Sequence, residues 1–540
     1  MSAHIIPRPY LKSCQQHGIY PVKAVERPRY GLPLLQLYQQ RFSSRQRELN
    51  LFAPEAQFFV PYWDVSQAGK VDQKNLKTEQ QLGDWLGDCF QLDPRDTGKD
   101  AAMVVEVKPD PQCRYIFLTT ASSVAPLEIT PAALKRILAY YQVMPCFLDF
   151  LYTFGPKNAE ERESTRFSGF RTEKTFRNTM PSMDIPALRR SGKRYQLCYT
   201  LKSIALKSED DSSPINKTWR VRSAVFYHQF DIQYGTQLWI IGDPLQGIHD
   251  LVQEHIHEKK DQSARFGTPS QAFNTSLEMI VHYCRWASEE WRWHVQSSEE
   301  IVEKITQQYV NIQASAENGV RWDRDGLIIV QDREQYLTDT ITCLESNIAV
   351  MKRLGTFYTA LVEDPAWPQA DAAAAKWSVK EFVSQLDEYI YDISMQLKRA
   401  NLALQIAKDR KEILVQHLSA QNAAKQEAYT HIMWRQQRRT GLDAVVMKVI
   451  TVVTLIYLPM TFVSTFFGTD VVKYQPDSDD TSTSSSSYDN GRVSKTALWQ
   501  FFAVSVPLMV ATFLVAVGWY RWEKNRINKK DQADSKKLEA

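Results

Sequence analysis

The pattern of apolar and polar positions divides this chain into a mixed front half, a helical middle and two long apolar runs near its end. The first run, AVVMKVITVVTLIYLPMTFVSTFFGTD from Ala444 to Asp470, carries one charge, Lys448, before its closing aspartate. At ~1.5 Å per residue, two dozen such residues span the roughly 30 Å hydrocarbon core of a bilayer, so the run reads as a membrane helix. Met447, Thr451, Thr454, Leu458, Thr461, Thr465 and Gly468 recur in it at spacings of four and three, which is one face of an α-helix. That face is expected to meet either a polar lumen or a tight helix interface, since small hydroxylated residues also let membrane helices pack closely. Pro459 removes one backbone bond in mid-span and is expected to kink or loosen the helix, as a flexure or as packing. The second run, Ala497 to Tyr520, is framed by Trp499 on one side and by Trp519, Tyr520 and Trp522 on the other, like interfacial aromatic belts.

Ahead of these runs the periodicity changes twice. Residues 1–100 alternate short apolar stretches with prolines and polar turns, and few elements can be placed there. Met103 to Val107 and Tyr115 to Thr119 read as a hairpin with Pro109, Asp110 and Pro111 in its turn. Thr130-Pro131 reads as an N-cap with proline at the first helical position, opening an apolar helix to Phe154-Gly155. Tyr195 to Thr200, Arg220 to Tyr227 and Thr236 to Ile241 read as strands, the first two joined by a polar loop at Ser208 to Ser213. Strands mixed with helices predict an α/β domain. From Gln271 the pattern is helical only: Phe273, Leu277, Ile280, Val281, Cys284 and Ala287 form one stripe, continued from Ile301 to Ile312, and Tyr336 to Val362 carries another. After a connector at Glu363 to Ala375, no proline occurs from Ser378 to Leu458. There Phe382, Leu386, Tyr389, Ile393, Leu397, Ala400 and Leu404 repeat with coiled-coil spacing, a stripe that needs a partner.

The expected organisation is therefore a front region (1–100), an α/β domain (101–270), a helical region (271–377), a stalk helix (378–443), a first span (444–467), a loop (468–496), a second span (497–520) and a basic tail (521–540). A net charge of +3 is too near neutral to imply nucleic acid. The position of the basic residues says more. Arg435, Arg438 and Arg439 precede the first span and Arg521, Lys524, Arg526, Lys529 and Lys530 follow the second, whereas the loop holds more acids than bases. Both termini are thus expected in the cytosol, where the tail is either a membrane anchor or a basic ring at the inner mouth. The sequons at Asn216 and Asn274 would then carry no glycan. Residues 1–10 show no cleaved secretory signal, and five prolines within the first 33 residues oppose a transit-peptide helix, so a plasma membrane is favoured over an organelle. Seven cysteines without a C-x-x-C pair read as reduced core thiols. His249, His255 and His257 lie close together but lack a framework of further ligands. No phosphate-binding loop, His-Glu-x-x-His or Gly-x-Ser-x-Gly occurs, so neither an enzyme nor a bound cofactor is expected.

Met447-Lys448-Val449-Ile450-Thr451, Tyr457-Leu458-Pro459-Met460-Thr461-Phe462 and Phe467-Gly468 resemble the first transmembrane helix of CorA-type divalent-cation channels. Tyr141-Gln142-Val143-Met144-Pro145 and Phe226-Tyr227-His228-Gln229-Phe230-Asp231 resemble the soluble domain of divergent fungal members. The resemblance implies an α/β domain, a stalk and two C-terminal spans, assembled as a homopentamer in a lipid bilayer. It implies a pore lined by the first span and a Gly-Met-Asn triplet at the outer mouth where hydrated Mg²⁺ docks. Here the triplet is Gly468-Thr469-Asp470, with only the glycine kept. On this reading Thr451, Thr454, Thr461 and Thr465 supply hydroxyl rings for a hydrated ion, and Met447 and Leu458 supply apolar constrictions. Asp470 sets a metal-attracting carboxylate ring at the entrance, pH-sensitive through mutual repulsion, or is an ordinary solvated loop acid. The expected function is a channel for divalent cations, most simply Mg²⁺ as the transported ion. The alternative is a membrane-anchored scaffold or regulatory binding module that kept the architecture and lost conduction.

Overall fold

The computed structural model describes residues 3–25, 29–88, 102–106, 108–121, 125–155, 166–176, 181–206, 219–244, 247–258, 263–314, 324–468 and 495–538. The chain forms two units, Met1–His417 and Leu418–Ala540.

The strands of the first unit are β1 (Ala3–Pro7), β2 (Val60–Val65), β3 (Val71–Leu76), β4 (Ala102–Glu106), β5 (Cys113–Thr120), β6 (Phe170–Thr175), β7 (Asp184–Ile185), β8 (Arg190–Ser191), β9 (Arg194–Leu206), β10 (Trp219–Asp231) and β11 (Gln237–Pro244). Seven of them make one sheet in the order β3-β2-β5-β11-β10-β9-β6. Its neighbours run antiparallel except β5 with β11, which is parallel.

Successive side chains point to opposite faces of a strand, and both faces here are covered. Ile116 and Leu118 join a core with helices α1 (Arg8–Gln15), α2 (Leu32–Glu48), α3 (Glu79–Leu86), α4 (Pro131–Tyr141) and α5 (Phe147–Leu151). Tyr115 and Phe117 join a second core on the other face. That core receives α6 (Gly247–Glu258), α7 (Ser263–Phe266), α8 (Pro269–Ser288), α9 (Trp291–Ala314), α10 (Arg324–Val362) and the start of α11 (Ala372–Gly468). Each fully buried Leu, Ile or Phe in these layers contributes ~1.5–3 kcal/mol from apolar area removed from water. Helix starts follow local chemistry. Thr130 accepts from Ala133 N with Pro131 at the first helical position, and Thr268 with Gln271 closes a capping box ahead of α8.

Several sequence expectations hold, among them the α/β class, the Thr130-Pro131 helix start and the three strands, of which the first two lie within the longer β9 and β10 and the third, apart from Thr236, within β11. The hairpin does not. β5 pairs with β2 and β11, whereas β4 pairs antiparallel with β1, Ala3 opposite Glu106. Residues 113–120 are buried on both faces and so belong in the middle of the large sheet, a place no local hairpin offers. The helix from Pro131 also stops early: Gln142 takes a left-handed backbone (φ 51°) and Pro145 follows, so α5 is separate. The described residues among the first 100, where the sequence pattern places few elements, hold three strands and three α-helices of this fold.

The stalk stripe finds a partner within its own chain. Phe382, Leu386, Ile393 and Ala400 of α11 are buried in the same core as Leu344, Met351, Leu354 and Tyr358 of α10. The Phe382 and Tyr358 rings meet edge to face at 5.4 Å. Arg399 donates twice to Glu299 of α9, at 2.9 and 2.5 Å, and Lys411 pairs with Glu334 of α10. Coiled-coil spacing is thus satisfied here by antiparallel packing inside one subunit.

Candidate functional site

The second unit holds the rest of α11 and α12 (Lys495–Leu538). Val446–Thr465 in α11 and Trp499–Gly518 in α12 are long and apolar enough to cross a membrane, with mean hydropathies of 2.0 and 2.3. Both expected spans are therefore helical. α12 also contains Pro507.

Within α11 the threonine face is intact and exposed. Thr451 Oγ1 donates to Met447 O at 2.7 Å, and Thr461 Oγ1 donates to Leu458 O at 3.0 Å. Thr454 Oγ1 lies 3.0 Å from Ile450 O and 2.9 Å from Thr451 O; Thr465 Oγ1 lies 2.9 Å from both Thr461 O and Phe462 O. A carbonyl only accepts, so the single proton of each hydroxyl is committed to its own helix. What each threonine presents outward is lone pairs. Met447 and Leu458, on the same face, are 64% and 69% exposed.

A different face of the span is covered. Pro459 and Val463 are buried, as is Ser505 of α12 at 1% exposure, and Leu455 is half-buried. At about 100° per residue, Leu455, Pro459 and Val463 centre about 130° away from the threonines. Within this unit, then, the threonine face is left open, together with Val452, Val453, Ile456, Tyr457 and Phe462 elsewhere on the span. Gly468 closes α11, with nothing within 4 Å of where a Cβ would sit. Thr469 and Asp470, and with them the expected docking ring, lie outside the described residues.

Other sequence candidates resolve into structure. His249 packs edge-on against Trp63 and Phe117 at 4.7 and 5.0 Å. His255 Nε2 accepts from Arg265 Nη2 at 2.7 Å, and the His257 side chain lies outside the described residues. Among the described residues no group of three or more His, Cys, Asp or Glu is placed to hold a metal. Cys14, Cys113, Cys146, Cys198, Cys284 and Cys343 are buried; Cys89 lies outside the described residues. The sequon residue Asn274 sits in α8 with Oδ1 buried, and Asn216 lies outside the described residues.

The sequence reading missed a set of buried ion pairs in the first unit. Arg114 donates to Asp64 at 2.6 and 2.5 Å, and Arg190 donates to Asp110 at 2.6 Å. The Arg190 guanidinium also lies over the rings of Tyr140 and Tyr141, at 4.8 and 5.0 Å. Burial pushes the Tyr140 and Tyr141 hydroxyls well up, which keeps both rings neutral beside the charge. The partners are 50 and 80 residues apart in sequence, beyond any spacing rule.

A family model described as CorA-like transporters matches residues 12–310, and one described as CorA-like Mg²⁺ transporter protein matches residues 336–522. No curated protein matches the sequence. Among solved structures, the ZntB cytoplasmic domain from Vibrio parahaemolyticus RIMD 2210633 is similar at 10% identity and a TM-score of 0.27, over 66% of this chain and 99% of that one. The full-length CmaX protein is similar at 12% identity and a TM-score of 0.28, over 88% of this chain and 99% of that one. Likeness at these values bears on neither fold nor function. The first family match alone spans more than half of the 540 residues, and with two apolar helices of membrane-crossing length the chain belongs to the CorA-like transporters as a membrane protein.

Proposed function

We propose that this protein conducts divalent cations, most simply Mg²⁺, through a homopentamer whose first span lines a shared axis. The carrying observation is the open threonine face of α11, whose four hydroxyls have spent their protons on backbone carbonyls. Rings of acceptors without donors attract cations and the outward-pointing hydrogens of their hydration water, and repel anions. Mg²⁺ releases its water reluctantly, so a wall that bonds the hydrated ion suits it. Met447 and Leu458 act as apolar constrictions on the same face, and Asp470 as the carboxylate at the outer mouth. Both termini lie in the cytosol and the membrane is the plasma membrane; we assign the protein no enzymatic activity.

The test is flux of Mg²⁺ into liposomes holding the purified protein, with the oligomer counted by native mass spectrometry. Uptake by a pentamer supports the reading, and a monomer or a silent pentamer defeats it. The second reading, a non-conducting membrane-anchored scaffold, draws on Thr469-Asp470 standing where the family triplet has Met-Asn. A silent pentamer would favour it.

A further inference from the structure

The first unit contains a cleft of about 420 Å³ that the ion pathway does not use. Its floor is apolar and largely aromatic: Phe176, Phe230, Phe273, Trp367 and Ala375 line it, each less than a tenth exposed. These residues come from the ends of β6 and β10, the first turns of α8, the connector after α10 and the start of α11. Phe273 and Trp367 stand 5.0 Å apart and Phe176 and Trp367 6.4 Å apart, so the rings form a wall. A volume of this size, walled by aromatic side chains with a few polar groups at the opening, is what small-molecule sites have.

The opening has a sign. Lys193 and Asp371 are the charged lining residues, and both are exposed. Asp371 immediately precedes Ala372, where α11 begins, so its charge is offset by the positive end of that helix. Lys193 is the cation of this rim, and the first turn of the 20-residue α8, with Ser270 on the cleft, adds positive potential to it. The apolar floor takes a flat hydrophobic body and the positive rim takes a negative head.

We infer that this cleft binds a small amphipathic aromatic anion, a ring system carrying a carboxylate or sulfonate. Its ring lies against Phe273 and Trp367, and its anionic group lies at Lys193. Because Ala375 belongs to α11 and Phe230 to the sheet, a bound ligand fastens the start of the stalk helix to the sheet. This inference is independent of whether the threonine face conducts.

The test uses full-length protein in lipid nanodiscs, titrated with naphthalene-2-sulfonate by calorimetry against empty nanodiscs. One saturable site per chain is expected. Lys193→Glu, a change at the exposed rim, should weaken binding about fivefold, the scale of an exposed charge contact. Asp371→Asn should tighten it, and naphthalen-2-ylmethylammonium should bind more weakly than the sulfonate. No saturable heat above empty discs, unchanged affinity in Lys193→Glu, or tighter binding of the ammonium overturns the inference. None of these readouts depends on ion flux.

Discussion

Replacing Thr461 by valine asks whether the threonine hydroxyls touch the permeating ion. Valine has nearly the same shape, so helix packing is kept while both lone pairs and the 3.0 Å bond to Leu458 O are lost. A hydrogen bond between a hydroxyl and the hydration water of an ion is worth ~1 kcal/mol net. If the hydrated ion rests on two hydroxyls of the ring at its barrier, the loss is ~2 kcal/mol, or about a thirtyfold slower passage. The assay is initial Mg²⁺ uptake into liposomes at matched protein density. Thr461→Ser, which keeps the acceptor, should retain most of the rate. Thr512→Val on the second span is the control, because Thr512 Oγ1 makes the same kind of bond, 2.9 Å to Met509 O, away from the threonine face. Equal rates for Thr461→Val and the unaltered protein, or an equal loss in Thr512→Val, would refute the argument.

Asp110→Ala leaves the Arg190 guanidinium buried without its carboxylate, a pair whose side chains are 6% and 10% exposed. It should lower unfolding free energy by ~3–5 kcal/mol in denaturant melts, and Asp110→Ala with Arg190→Met should recover most of it. Acid should destabilise the first unit. Burial holds His228 down at about 3 and His294 at about 4, so both are neutral in the fold. Their stabilisation is complete above the unfolded value near 6.5 and is lost as pH falls below it. At pH 5 each costs about 2 kcal/mol, and His228→Phe should remove half of that slope in melts between pH 7.5 and 5. Finally, Cys14 and Cys343 are buried and pushed up to about 12, Cys113, Cys198 and Cys284 are buried and raised as well, and Cys146 is buried. With Cys89→Ser, no thiol should react with maleimide at pH 7.5 until denaturant is added; fast labelling of the native protein would contradict the burial.

Helix and membrane character were written locally, and local information sufficed to read them. The apolar runs, the spacing of Thr451, Thr454, Thr461 and Thr465, and the Thr130-Pro131 start each depend on residues within a few turns of one another. The CorA-type resemblance likewise rests on short contiguous stretches. What the sequence could not state was partnership across distance. β4 pairs with β1 about a hundred residues away, Ala3 to Glu106, and nothing at Met103 distinguishes that partner from the nearer Tyr115. The stalk stripe carries heptad spacing, yet α10 rather than another copy meets Phe382 and Leu386, because helix periodicity says that a face must be covered and not by what. The aromatic cleft is assembled from separate stretches between Phe176 and Ala375 and exists only once the sheet and helices have packed. The first span shows both halves of the matter. Its sequence made one face hydroxylated, and only tertiary packing, by burying Pro459 and Val463, decided that another face would be covered and the threonines left open.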